Sequence, residues 1–316
     1  MTEAHDKLLS KVLQEINQTA SAQIRNTADL SAPTHRQEAY ETLRATLSYA
    51  ARLLAGRNSK PVLRTLHHLA CTGGTVISKA VAAQPNVVLL SEVDPFSPLG
   101  DIYSFRPTDM IGLAKVGSRA ANSETQAKLF EASIDVLTKD ASVQGTYLIL
   151  RDHSHSKYSY GSDIGSYPGL FALLSDSYEL KSAVTVRNPI DSYISLRENG
   201  WIHFTPSTFD EYCRRMLVFI DDHTEIPIFR YEDFIMQPQE IGAALCSTLG
   251  LPFNPDFAHL MSAISLSGDS GRKGAKLELR PRREVPEELA KDIVGSPHHE
   301  KLAKRLGYPT ALDAIV

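Results

Sequence analysis

Apolar positions along the chain follow two periods. Five short runs are rich in leucine and β-branched residues: 62–69, 87–90, 146–150, 182–186 and 227–230. Between most of them the apolar residues recur at helical spacing. Within 123–138, Leu129, Phe130, Ile134 and Leu137 share one side of a helix. Segments 209–219, 239–249 and 285–307 are expected to be helical as well. Strands alternating with helices predict an α/β fold, with a central parallel sheet of about five strands flanked by helices. Ligands of such sheets gather beyond the carboxyl ends of the strands. The positions to inspect are therefore 72–75, Glu92, 151–155, Arg187 and 231–233.

The first 58 residues read differently, as polar helices. Leu8, Leu9, Val12, Leu13 and Ile16 keep helical spacing, and 39–55 is an Ala-rich helix closed by Gly56. The expected organisation is a helical N-terminal arm, 1–58, before an α/β domain, 59–316. The arm carries no chemical motif and is expected to pack on a core or serve a homo-oligomer contact. Segment 94–109, rich in Pro, Phe and Tyr, is expected to be a loop on the acceptor side. Segment 154–169, rich in Ser, Tyr and Gly, is expected to be a mobile surface loop, and 265–283 a second loop.

Composition narrows the function classes. A hydrophobic content of 42% with 22% charged residues fits a soluble globular protein. A net charge of −4 argues against general nucleic-acid binding. Cys71, Cys213 and Cys246 are scattered without metal-ligand spacing, so free thiols and no metal are expected. The first 18 residues are too polar for a signal peptide, and no apolar run is long enough to span a bilayer. A soluble, cytoplasmic protein is the expectation.

Three pieces of sequence carry chemistry. The first is the strand 62–69, the turn Ala70-Cys71-Thr72-Gly73-Gly74-Thr75, and a helix expected to open at Val76. Glycine lets backbone approach a ligand, and the helix start offers unpaired N–H groups and a favourable dipole to an anion. Thr72 and Thr75 add hydroxyls. The turn is not a Walker A loop, because no Lys stands between Gly74 and Thr75. The second piece is Val186-Arg187-Asn188-Pro189-Ile190-Asp191, with Ser195 eight residues after Arg187. Pro189 ends the strand, Asp191 is expected to cap the next helix, and Arg187 and Ser195 are placed to share a phosphate. The third is Gly271-Arg272-Lys273-Gly274, two cations between glycines. Taken singly, each has an ordinary alternative: a plain α/β turn, a surface ion pair, a solvated basic run.

In register, the three pieces resemble the sulfotransferases that use 3′-phosphoadenosine 5′-phosphosulfate (PAPS). The resemblance covers 62–274 and implies a P-loop-like sulfotransferase fold. It implies that Cys71, Thr72, Gly73, Gly74, Thr75 and Val76 meet the 5′-phosphosulfate. It implies that Arg187 and Ser195, with Arg272, Lys273 and Gly274, meet the 3′-phosphate, and that adenosine 3′,5′-bisphosphate is the product. Arg230-Tyr231-Glu232-Asp233-Phe234 is similar to a strand-end sequence of that family. One departure stands out: many members carry Lys where this chain has Cys71. The turn's amides, Lys273 or Arg151 are the candidates to replace it.

Sulfuryl transfer also needs a base for the acceptor proton. His153 is the first choice, after the third strand, where imidazole titrates near neutral pH. Glu92 is the rival and His155 the third candidate; His67 and His68 lie inside the first strand and are expected to be structural. The acceptor implied by the family is a small molecule, carbohydrate or glycolipid bearing a hydroxyl or amine. Two other functions remain open: a kinase with a divergent phosphate loop, and a nucleotide-binding scaffold without catalysis.

Overall fold

The computed structural model describes residues 60–98, 109–115, 118–266, 277–278 and 284–312. Except for Lys60 and Pro61, these belong to one compact unit, Val62–Val316. The expected N-terminal arm and the 271–274 loop lie outside the described residues.

Five strands form one parallel sheet: β1 (Val62–His67), β2 (Val87–Val93), β3 (Tyr147–Asp152), β5 (Glu179–Val186) and β7 (Ile228–Arg230). Their spatial order is β2-β3-β1-β5-β7. Each coincides with one of the five apolar runs. The order places β1 at the centre, between β3 and β5, with Leu66 opposite Arg151 and His67 opposite Val184. The carboxyl ends of β1, β3 and β5 thus share one edge, although 85 residues separate His67 from Asp152.

The period of two in each strand builds two faces. Leu63, Leu148 and Leu150 enter one core with Phe130 and Ile134 of α3 (Ser123–Gln144). Leu66, Ile149 and Ala183 enter the opposite core with Ile77 and Val81 of α1 (Gly74–Ala82). In the chain, α2 (Met110–Lys115) comes between β2 and α3. A third core joins Val184 and Val186 to α7 (Phe209–Asp222), α11 (Glu287–Val294) and α12 (Pro297–Leu306).

Three expectations change. The helix after β5, α6 (Pro189–Glu198), is capped by Asn188, whose side chain accepts from Ile190 N; Asp191 lies in its first turn instead. Pro189 at the first helical position needs no hydrogen-bonded N–H, so the cap falls one residue before it. The terminal segment 285–307 divides into α11 and α12, where Gly295 ends one helix and Ser296 caps the next.

Segment 154–169 is no simple surface loop. It contains α4 (Ser154–Tyr158) and β4 (Tyr160–Gly161), which pairs in parallel with β6 (His203–Phe204) before α5 (Leu170–Leu174) begins. Ser154, His155, Ser156 and Tyr158 are buried. The cause is Arg215 of α7, fully buried and paired with Glu211 at 2.6 Å. Its guanidinium donates to the carbonyls of Tyr158, Gly161 and Ser162 and ties the segment down.

After β7 the chain closes through α8 (Tyr231–Met236), α9 (Pro238–Leu249) and α10 (Phe257–Leu260). No helix of the described residues is long and apolar enough to cross a membrane.

Candidate active site

The glycine turn follows β1, and its helix opens at Gly74, two residues earlier than expected. Gly73 has φ +82°, and a Cβ there would lie 2.2 Å from the Tyr231 ring. A Cβ on Gly74 would lie 2.3 Å from the His68 ring. Glycine at 73 and 74 is thus a packing requirement as well as a means of access. The amides of Gly74 and Thr75 start the helix and have no intrahelical acceptor. Val76 N donates to Gly73 O at 3.0 Å, so this amide closes the turn. Thr72 Oγ1 donates to Leu69 O at 2.7 Å and is fully buried, so its proton serves the turn as well. Cys71 stands in the left-handed region at φ +65°, with Sγ 3.5 Å from Asn199 Nδ2.

Arg151 reaches this turn from β3. Its Nη2 donates to Thr75 Oγ1 at 3.2 Å, its Nε to His68 Nε2 at 2.6 Å, and its Nη1 to Ser91 Oγ at 2.7 Å. His68 accepts because its Nδ1 hydrogen faces Leu69 O at 3.0 Å. Burial and the adjacent Arg151 charge push the His68 imidazole down to about 3, so it stays neutral. His68, Thr75 and Ser91 thus hold one cation beside the turn.

Glu92 connects that cation to His153. It sits at φ +62°, where the β2–β3 register shifts between Leu90 and Val93. Such a backbone is costly for a non-glycine residue and is found where surrounding contacts over-determine it. Glu92 Oε1 lies 3.0 Å from Arg151 Nη1, and Oε2 lies 3.3 Å from His153 Nε2. On the other side of the ring, His153 Nδ1 is 2.5 Å from Ser156 Oγ, which is 2.8 Å from Ser97 Oγ. His153 and Glu92 are each about one quarter exposed, at 22% and 24%. Asp94 borders this side; burial pushes its carboxyl up to about 6, with Tyr167 donating to Oδ2 at 3.3 Å.

His155 is placed differently. Its ring is 6.3 Å from that of His153, and its Nδ1 is buried without a partner. Burial pushes its imidazole down to about 3.

Arg187 and Ser195 meet, with Nη1 3.4 Å from Ser195 Oγ. The Arg187 guanidinium lies 5.2 Å from the centre of the Tyr231 ring, the same ring that packs on Gly73. Tyr231 therefore joins the turn to the Arg187 corner. Glu232 fixes that corner from below, accepting from Asn188 N at 2.9 Å and from Tyr308 Oη at 2.7 Å. The sequence places 231–233 beyond a strand end and 230–234 in a string similar to the family's; the packing role of Tyr231 and the capture of Asn188 by Glu232 come from the β5–β7 pairing. Arg272, Lys273 and Gly274 lie outside the described residues.

No protein-family model matches the chain, and no curated protein matches it in sequence. Solved structures do. The sulfotransferase domain from the Synechococcus PCC 7002 olefin synthase is similar with a TM-score of 0.51 at 17% identity, over 80% of this chain and 97% of that one. Mouse sulfotransferase SULT7A1, complexed with PAP, gives 0.39 at 11% identity over 77% and 88%. Sulfotransferase STF1 from Mycobacterium tuberculosis H37Rv gives 0.35 at 13% identity over 96% and 98%. The first of these carries the conclusion: the chain has the P-loop-like sulfotransferase fold.

Proposed function

We propose that this protein is an enzyme that moves a sulfuryl group from PAPS to a hydroxyl or amine, leaving adenosine 3′,5′-bisphosphate. One observation carries the reading. Two motifs more than a hundred residues apart, the glycine turn and the Arg187–Ser195 pair, meet at a single ring: Tyr231 packs on Gly73 and lies 5.2 Å from the Arg187 guanidinium, which in turn meets Ser195. A donor with phosphates at both ends of its ribose would bridge those two anion sites.

In this reading the Gly74 and Thr75 amides and Thr75 Oγ1 hold the 5′-phosphosulfate. Arg151, beside Thr75, supplies the charge that Lys supplies in many members where this chain has Cys71. Arg187 and Ser195 hold the 3′-phosphate, and Arg272, Lys273 and Gly274 close on it. The bond between sulfur and the 5′-phosphate oxygen breaks as a bond from sulfur to the acceptor oxygen or nitrogen forms. Negative charge then grows on the departing phosphate, where Arg151 is already oriented.

The acceptor proton goes to the His153–Glu92 pair, with His153 as base. For Nε2 to receive it, Nδ1 must carry its own hydrogen. Ser156 Oγ, 2.5 Å away, is a hydroxyl able to accept that hydrogen bond. Glu92 then stabilises the imidazolium through Oε2. His155 is buried and its imidazole is pushed down to about 3, which suits it poorly to take the proton. A carbohydrate or glycolipid is the acceptor class that the family resemblance favours.

The test is nucleotide discrimination by one variant. Arg187→Ala should weaken adenosine 3′,5′-bisphosphate binding by about 1.5–3 kcal/mol, the range for hydrogen bonds to charged groups. Adenosine 5′-phosphate should be affected much less. Equal losses would mean that Arg187 supports the fold and not a 3′-phosphate.

A further inference from the structure

Beneath the active site, three strand and helix ends bring together a second set of ligand-type side chains. His67 closes β1, Asp152 closes β3, and His223 follows α7. They are 0%, 5% and 3% exposed. One ligand atom of each lies within 4.8 Å of those of the other two. His67 Nδ1 is 2.9 Å from Asp152 Oδ2, and the two imidazole centres are 4.6 Å apart.

The outer atoms of this cluster are anchored. His67 Nε2 meets Thr65 Oγ1 at 2.8 Å, and Thr65 Oγ1 meets Ser182 Oγ at 2.6 Å. His223 Nδ1 donates to Phe219 O at 2.7 Å. Asp152 Oδ2, which faces His67, also accepts from Ser154 Oγ at 2.6 Å, and this fixes the carboxylate's direction. An imidazole whose outer nitrogen is held by a carbonyl or hydroxyl is the usual second shell of a metal ligand, because it fixes the tautomer and the ring direction.

The tautomer has a consequence. With its hydrogen on Nδ1, His223 keeps a lone pair on Nε2. Among the described residues the ring makes no other hydrogen bond. A lone pair and a carboxylate thus share a dry site, where charge needs a partner. No Lys or Arg is paired with Asp152 among the described residues.

We propose that His67, Asp152 and His223 bind one divalent transition-metal ion, with zinc the best match to two imidazole nitrogens and one carboxylate oxygen. The donors are His67 Nδ1, Asp152 Oδ2 and His223 Nε2. Binding displaces the hydrogen between His67 Nδ1 and Asp152, which leaves as a proton. Burial makes the site structural: it ties α7 to the ends of β1 and β3, one residue before His153. The cysteines have no part in it. The proposal does not depend on the sulfuryl-transfer reading, since it needs neither donor nor acceptor.

The full-length protein, produced in zinc-supplemented medium and purified without chelator, should carry about one zinc per chain by elemental analysis. His223→Gln should lose it, whereas His259→Gln, at an exposed position, should keep it. Zinc chloride alone should raise the melting temperature of chelator-stripped wild type, and cobalt should give the visible absorption of a low-coordinate nitrogen–oxygen site. Those two wild-type measurements decide the matter even if His223→Gln does not fold. Wild type that is folded, nearly metal-free and unmoved by zinc chloride would overturn the proposal, leaving a His67–Asp152 ion pair as the whole content of the cluster.

Discussion

A 3.3 Å contact joins the two side chains proposed for the acceptor's proton, Glu92 Oε2 and His153 Nε2. Their other contacts differ. Glu92 already answers the Arg151 charge at 3.0 Å, whereas His153 leans on neutral hydroxyls. A carboxylate that gives up its charge would take the Glu92 countercharge from the buried Arg151, which favours the imidazole as base. His153→Ala should therefore lose ~10²–10⁴-fold in kcat, with adenosine 3′,5′-bisphosphate affinity held. Glu92→Gln should lose less. Steady-state kinetics on both variants orders the two residues, and a dead Glu92→Gln beside an active His153→Ala would make the carboxylate the base. The candidates themselves were legible from their place after the second and third strands. What was not legible is that Arg151 and Glu92 form one unit, because that depends on β3 lying between β2 and β1. The sequence ranked His155 below His153 without the reason. Both follow the same strand, and only the packing of α4 buries one and leaves the other partly open.

Among the elements, the glycine turn is held from both sides. The Tyr231 ring meets Gly73 and the His68 ring meets Gly74. A methyl group at 74 has to displace a ring that Arg151 and Leu69 already hold. Gly74→Ala should thus cost about 1–3 kcal/mol, the usual penalty for overpacking. Urea unfolding measures this, and an unchanged midpoint would show that the turn gives way freely. Arg215 is the buried cation that ties the α4–β4 segment to α7. Replacing it by Leu removes the donor to four carbonyls, those of Tyr158, Tyr160, Gly161 and Ser162, and leaves Glu211 with Arg214 alone. The expected cost is about 3–5 kcal/mol, the range for breaking a buried pair from one side. The five strands could be read in advance because each is an apolar run bounded by turns. The 154–169 segment could not, since its composition is that of a solvated loop. Ser154, Ser156 and Tyr158 are nonetheless buried, with the Tyr158 hydroxyl on the distant Asp222 and backbone carbonyls on the distant Arg215.

For the molecule as a whole, the parallel sheet gathers titrating groups at its carboxyl edge, and this sets how stability follows pH. His155 has an ordinary value of 6.5 when unfolded and about 3 when buried in the fold. Its contribution is fully present above pH 6.5 and is lost as the pH falls toward 3, because the unfolded chain takes up the proton first. Asp94 acts with the opposite sign: raised from 3.8 to about 6, it costs stability as the pH rises through that window. Urea midpoints between pH 7 and pH 4 should fall for wild type and fall less for His155→Phe; parallel curves would remove His155 from the account. The central claim is that one nucleotide with phosphates on both sides of its ribose spans the turn and the Arg187 corner. Calorimetric titration of the wild-type protein with adenosine 3′,5′-bisphosphate, adenosine 5′-phosphate and ATP–magnesium tests it most directly. The account predicts one site for adenosine 3′,5′-bisphosphate with no magnesium added, and at least about tenfold weaker binding of adenosine 5′-phosphate, the ratio equivalent to 1.4 kcal/mol. Tighter binding of ATP with magnesium, or equal affinity for the two adenosine phosphates, would contradict it.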